Sequence, residues 1–379
     1  MKKIFYAGIA GLVLFEIASV YFIMPMPGSQ RMDSLGLAYF LYHRRWLFRG
    51  FFGLMLLGGL VPAFRASKGW SLMAVGLLAF VVYQFNFELS AEKMFYPPRD
   101  LRLADAAANK VNMDKLVLGV EINGKAKAYP LQFIGYHHQV RDEVDGIPVL
   151  ITYCTVCRSG RAYSPVVGGL PVNFRLVGMD HFNAMLEDNR TCTWWRQATG
   201  EAVAGPLKGE VLPEFPTVQT SLREWLALYP ESLVMQADSA FSEEYAHLDT
   251  YDTGLGRGKL TGTDTLSWKD KSWVVGIVAD GKAKAYDWNR LKRERVVNDQ
   301  VGRQPVVLVL AADNKSFFAF ERPEAVEFSL QNDTLRGAGN AWRLNGQPLS
   351  ERYDPLRRIT AYQEFWHSWS TFHPFTTRY

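Results

Sequence analysis

Three apolar runs crowd the first 90 residues, and they constrain everything that follows. Ile4 to Met24 is 21 residues long with one charge, Glu16. As a helix rising about 1.5 Å per residue it reaches ~31 Å, the thickness of a bilayer's hydrocarbon core. Leu47 to Phe64 is shorter and carries Arg49 near its start, where a long side chain can snorkel to the interface. Trp70 to Phe87 has no charge at all. The pattern predicts three transmembrane helices, spans of about 4–24, 47–64 and 70–87, within a region 1–90 that contacts the lipid bilayer. The first run lacks the small-residue cleavage site of a signal peptide, and two more spans follow it. Glu16 reads as a carboxyl turned toward neighbouring helices, with no second intramembrane acid to suggest a proton path.

Charge sorts the same way. Residues 1–90 hold eight basic and three acidic side chains, a net of +5, whereas the whole chain is +4, so residues 91–379 carry 34 basic against 35 acidic groups. The pI near 8.8 therefore belongs to the helical region. The remainder has no Lys/Arg stripe of the kind that follows a phosphate backbone, which argues against nucleic acid as a partner. Met1-Lys2-Lys3 before the first span and Arg65-Ala66-Ser67-Lys68 between the second and third favour a cytoplasmic position for both. Arg44 and Arg45 pull the other way. Three spans with the N-terminus inside carry residues 91–379 out, to the periplasmic side of a bacterial inner membrane.

Self-comparison then organises the exported part. Val120-Glu-Ile-Asn-Gly-Lys-Ala-Lys-Ala-Tyr129 matches Ile277-Val-Ala-Asp-Gly-Lys-Ala-Lys-Ala-Tyr286 at an offset of 286 minus 129, or 157. The same offset gives 12 identities over the 35 positions from Gly119 to Tyr153, where chance gives about two. A later match, Trp225 with Tyr229-Pro230 against Trp369 with His373-Pro374, has an offset of 144. Each copy reads as short strands joined by hairpin turns at Asn123-Gly124, Asp145-Gly146 and Asp280-Gly281, followed by an aromatic helix that a proline closes. In the second copy that helix is expected to align Tyr362, Trp366, Trp369 and His373 on one face. The expected fold is thus a three-helix transmembrane region, then a β-rich α+β exported region of two tandem repeats: 91–237 with a Cys-x-x-Cys, a Gly/Thr/Asp-rich linker 238–267, and a degenerate copy 268–379.

Subtracting the shared framework leaves chemistry found in the first copy alone: Cys154 and Cys157 in Tyr153-Cys-Thr-Val-Cys-Arg158, the pair His137-His138, and Cys192. At offset 157 the cysteines of the pair face Ala311 and Asn314, and the histidines face Glu294 and Arg295. A c-type haem site would need His where Arg158 stands. A thioredoxin-like pair would open a helix, and Ser159-Gly160-Arg161 reads as turn and strand. Three possibilities stay open. The pair is a structural disulfide, a thiol redox couple in which Arg158 stabilises a thiolate, or part of a metal site for zinc or copper completed by His137 and Cys192. His181, His247 and His367 read as surface or packing histidines. No P-loop, dinucleotide fingerprint, Gly-x-Ser-x-Gly elbow or His-Glu-x-x-His helix occurs, so a nucleotide is not an expected ligand.

Asn123-Gly-Lys-Ala-Lys-Ala-Tyr-Pro-Leu131, His137 ahead of Val140-Arg-Asp142, Pro148-Val-Leu-Ile-Thr-Tyr-Cys-Thr-Val-Cys157, and Thr199-Gly-Glu-Ala-Val-Ala-Gly205 with Asp188, Thr191 and Trp195 form a set. In order and spacing it resembles the bacterial family designated domain of unknown function 3179, over about residues 97–236 and weakly beyond. The resemblance implies an exported or membrane-anchored protein with Cys154, Cys157 and His137 at a shared site, and lends no activity. The family's Cys-Pro-Leu-Cys is Cys154-Thr-Val-Cys157 here, and the Asn of its Asn-Asp pair is Arg141, while Asn298-Asp299 retains the pair. The function expected is thiol redox or metal handling by a membrane-anchored periplasmic protein. The alternative is a non-catalytic subunit docking an envelope protein partner, its Cys pair merely structural.

Overall fold

The apolar runs form helices α1 (Lys2–Tyr21), α3 (Arg45–Ala66) and α4 (Lys68–Tyr83), with the short α2 (Leu35–His43) between the first two. A π-helical turn, Gln84–Glu88, continues α4. Three of these helices are long and apolar enough to cross a membrane: Lys2–Tyr21, Arg45–Ala66 and Lys68–Glu88. The computed structural model describes residues 1–256, 258–323 and 326–379. It divides into two compact units, one of Met1–Tyr96, Val172–Arg196 and Glu201–Val211, the other of Pro97–Pro171, Gln197–Gly200 and Leu212–Tyr379.

In the first unit α1 is the central helix, burying Phe5 and Ile9 against Leu56, Leu60 and Ala63 of α3. Glu16 lies in this seam and is almost fully buried. Arg49 is held by a partner within the helices. Its Nε and Nη2 donate to the two Glu16 carboxylate oxygens at 2.7 and 2.8 Å, and Asn86 Nδ2 donates to Oε2 at 2.9 Å. An isolated charge in hydrocarbon is costly, so a carboxylate satisfied by one donor from α3 and one from the π turn fixes how three helix ends meet. The same unit holds an antiparallel sheet of Phe174–Asp180, Asn183–Asp188, Trp194–Arg196 and Ala202–Ala204. Met179 N–H donates to the Ile23 carbonyl at 2.6 Å, just beyond α1, and Tyr39 and Tyr42 of α2 pack on Trp194.

The second unit is β-rich. Leu116–Ile122 and Lys125–Pro130 form a hairpin on Asn123-Gly124, flanked by Thr217–Ser221 on one side and Leu233–Met235 on the other. Trp273–Ala279 and Lys282–Asp287 form a second hairpin on Asp280-Gly281, flanked by Ala361–Phe365 and Thr377–Arg378 in the same order. Both turns place an Asn or Asp and a Gly at positive φ, as the two-residue hairpin requires. Gln139–Val144, Ile147–Cys154 and Ser159–Tyr163 pair in sequence, as do Val296–Val301, Gln304–Leu310 and Phe317–Glu321. In the first set Tyr129 donates to Asp142 at 2.8 Å, and in the second Tyr286 donates to Asp299 at 3.0 Å. A core cluster combines Val117, Ala128 and Trp225 with Val307, Phe318 and Phe320, so the N-terminal and C-terminal halves of this unit share one interior.

Two sequence expectations change. The aromatic helix near the C-terminus is Trp366–Phe372, and Tyr362 lies in the preceding strand because Ala361–Phe365 pairs with Trp273–Ala279 and holds it extended. The Gly/Thr/Asp-rich stretch expected as a linker contains a helix, Ser242–His247, anchored by buried Phe241, Tyr245 and Tyr251. Three aromatic side chains supply the burial that its polar composition conceals.

Gly119 and Gly276 each lie under a tryptophan from a later helix, Leu222–Leu228 and Trp366–Phe372 respectively. A Cβ at Gly119 would come within 2.2 Å of the Trp225 ring, and one at Gly276 within 2.1 Å of the Trp369 ring. Gly119→Ala and Gly276→Ala should therefore each lower stability by about 1–3 kcal/mol through overpacking, read as a reduced denaturant midpoint with unchanged slope.

Candidate functional site: a buried cysteine turn

Cys154 ends the strand Ile147–Cys154, and Ser159 opposite it begins the next, so Thr155-Val156-Cys157-Arg158 is a four-residue connection. Arg158 takes φ 57°, which closes the turn. Both cysteines are fully buried, are thiols, and approach one another to 3.8 Å. That is far beyond the ~2.05 Å of a disulfide bond and close enough for one thiol to hydrogen-bond the other.

Most of what surrounds the turn comes from the C-terminal half. Phe365 N–H donates to the Cys157 carbonyl at 2.9 Å. Lys271 Nζ donates to the Val156 carbonyl at 2.6 Å, and His367 Nε2 lies 3.1 Å from the same oxygen. Ser368 and Glu364 lie near Cys157, the first favouring and the second disfavouring a thiolate there. Burial, then the hydrogen bond with Cys154, pushes the Cys157 thiol well above its ordinary range. Burial pulls Lys271 down, a trend opposed by the two thiols it faces. Burial, helped by the Lys271 charge, lowers His367 to about 4, so it is neutral at physiological pH.

Arg158 is not the cation that this pair meets. Its Nε donates to Gln363 at 2.9 Å, Nη1 and Nη2 donate to the carbonyls of Tyr251 and Asp252 at 3.2 and 2.9 Å, and its plane stacks 3.7 Å from the Trp273 ring. Every part of the fork is held by the framework, and the ammonium coupled to Cys154 and Cys157 is that of Lys271. His137 Nε2 lies 2.6 Å from the Tyr245 hydroxyl, and His138, lowered to about 4 mainly by burial, bonds the Tyr136 carbonyl at 3.0 Å. Cys192 belongs to the other unit, exposed in a turn that Asp188 organises by accepting from Arg190 N, Thr191 N and Thr193 N. Among the described residues no group of three or more His, Cys, Asp or Glu side chains is arranged to hold a metal ion. The set Cys154, Cys157, His137 and Cys192 thus does not fit a zinc or copper site.

Lys271, His367 and Ser368 carry no motif in the sequence, and each differs from the residue at the matching position of 91–237. At offset 157 Lys271 falls on Asp114, and at offset 144 His367 and Ser368 fall on Arg223 and Glu224. The reverse subtraction, for chemistry confined to the second segment, exposes all three.

The family model described as "Protein of unknown function (DUF3179)" matches residues 99–376. The chain belongs to the DUF3179 family. No curated protein and no solved structure matches it. The DUF3179 region takes in Lys271, His367 and Ser368 as well as the cysteines, well past the 97–236 stretch that the motifs alone carry.

The two buried neutral histidines give this DUF3179 domain an acid limit. An unfolded histidine titrates near pH 6.5, whereas His138 and His367 take up protons in the folded state only near pH 4. Between those values the unfolded chain binds more protons, so stability is present above pH 6.5 and lost as pH falls toward 4. The thermal midpoint should drop across that window, and His367→Gln should flatten part of the slope.

Proposed function

We propose that this DUF3179 protein is anchored in a bacterial inner membrane with residues 91–379 on the periplasmic side, and that Cys154 and Cys157 act there as a two-electron dithiol/disulfide couple. The observation that carries the reading is the approach of the two thiols to 3.8 Å inside a buried polar cluster that also contains an ammonium, Lys271. The redox partner is a protein disulfide. A thiolate of the pair attacks one sulfur of that disulfide and releases the other as a thiolate. The second cysteine, deprotonated, then displaces the mixed disulfide, leaving Cys154 and Cys157 joined and the partner reduced with both electrons. Because both sulfurs are buried and Cys157 is held as the thiol, exchange requires the turn to open, and Lys271 is the group that stabilises the thiolate when it does.

We further read 91–237 and 268–379 as tandem copies of one unit. Support comes from the identical order of strands about the two hairpins, the Tyr-to-Asp bonds at positions 157 apart, and the Trp-over-Gly contacts at Gly119 and Gly276. On this reading one copy supplies the sulfurs and the other the groups around them. The non-catalytic reading, an envelope docking subunit, keeps one observation in its favour: full burial of both sulfurs.

The full chain in detergent, equilibrated in thiol/disulfide buffers and quenched with an alkylating agent in denaturant, should show the pair titrating reversibly by two electrons. Lys271→Met should slow exchange by about tenfold for each unit that the thiol pKa rises. A pair that stays in one state across the buffer range, or exchange at the wild-type rate in Lys271→Met, would favour the docking reading instead. For the topology, exposed Cys192 should react with a membrane-impermeant maleimide in spheroplasts; labelling only after lysis would reverse the orientation.

A further inference from the structure

The first unit contains a cavity with the features of a ligand site. A cavity of about 190 Å³ opens where the end of α1, the start of α3, the π turn and the segment Arg175–Val177 meet. Four cations line it, Arg45, Arg49, Lys93 and Arg175, against a single carboxylate, Glu92. Two of them are locked in place from behind. Arg49 is held by Glu16, and Arg175 is held by Glu187 at 2.7 Å and by the Tyr42 hydroxyl. The other two have no ion pair among the described residues. Arg45 rests over the Tyr42 ring, 4.0 Å from its centroid, and donates to the Tyr42 carbonyl, so its position is set while its charge is not neutralised. The remaining wall is apolar, with Val20, Ile23 and Phe85.

A cavity with fixed guanidiniums on one side and an aliphatic and aromatic wall on the other matches an amphiphile with an anionic head. Its place along the helices agrees. The end of α1 and the π turn, both last residues of candidate spans, and Arg45, the first residue of another, meet at the level where phosphates sit in a bilayer. The π turn contributes directly, because it presents Asn86 to Glu16 and Arg49 and Phe85 to the cavity. We propose that this cavity binds the phosphodiester head group of an anionic phospholipid, with Arg45 and Lys93 supplying the uncompensated charge and Arg49 and Arg175 the preset geometry. The inference rests on the reading that the three helices cross a membrane and is independent of the thiol reading.

The test uses the full chain in nanodiscs of phosphatidylcholine with and without phosphatidylglycerol, with retained lipid counted by native mass spectrometry after gentle detergent release. Wild type should keep phosphatidylglycerol in clear preference to phosphatidylcholine. Arg45→Gln and Lys93→Gln should each reduce that preference about fivefold, the effect of one basic residue near a charged surface, and Arg45→Lys should restore most of it. Lys93 is exposed, so its variant keeps the test readable should Arg45→Gln fail to fold. Equal retention of the two lipids, or undiminished preference in a folded Lys93→Gln and Arg45→Gln pair, would overturn the proposal. Displacement of the lipid by millimolar inorganic phosphate would overturn the lipid assignment in favour of a soluble phosphate compound. Extraction of the chain from native membranes by alkaline carbonate would instead remove the membrane-spanning premise, a failure readable separately from the other three.

Discussion

Two guanidiniums, three residues apart, hold the β-rich unit together across its halves. Arg161 forms a fully buried ion pair with Glu364 and lies 3.6 Å over the Tyr362 ring, while Arg158 reaches Gln363. Their three targets are consecutive on one strand, Ala361–Phe365, near the end of the chain. A buried guanidinium without its acceptors is among the costlier defects a core can carry. The strand bearing Arg161 and the turn bearing Cys154 and Cys157 therefore reach their final geometry only when the strand Ala361–Phe365 is in register on Trp273–Ala279. Ser368 extends the link by donating to the second Glu364 oxygen at 2.8 Å, which joins the ion pair to a residue that acts on Cys157.

This dependence explains the chemistry around the sulfurs better than the local motif does. A Cys-x-x-Cys read alone suggests an exposed, activated pair, whereas here the turn is roofed by Tyr251, whose hydroxyl donates to the Thr155 carbonyl at 2.9 Å, and floored by the C-terminal half. Desolvation dominates the resulting electrostatics. It raises the thiol, lowers the lysine and keeps His367 neutral, three shifts that all follow from excluding water around groups that favour their uncharged forms.

Much of the architecture was legible because it rests on short-range rules. Membrane-length helices follow from apolar length, and the turns at Asn123-Gly124, Asp145-Gly146 and Asp280-Gly281 follow from residues that tolerate positive φ. What was not legible depends on contacts distant in sequence. The partner of Arg49 was not legible because nothing local marks Glu16, 33 residues earlier, as its acceptor. Arg158 was expected at a thiolate because its framework partners lie 93, 94 and 205 residues away. The sheet formed by 174–204 gives no sign in its composition that it joins the helical unit, since one contact that ties it there is a backbone bond from Met179 to Ile23 and others join residues more than 80 positions apart.

The Glu16 carboxylate also bears on the order in which the helical unit can assemble. Its partner Arg49 stands 33 residues further along the chain, and Asn86 a further 37. A buried carboxylate left without its donors is a costly defect. The first helix thus cannot settle into its final packing alone and needs Arg49 of α3 beside it. Assembly of the helical unit is a joint event, in which two helices pair through one carboxylate and the π turn closes the contact.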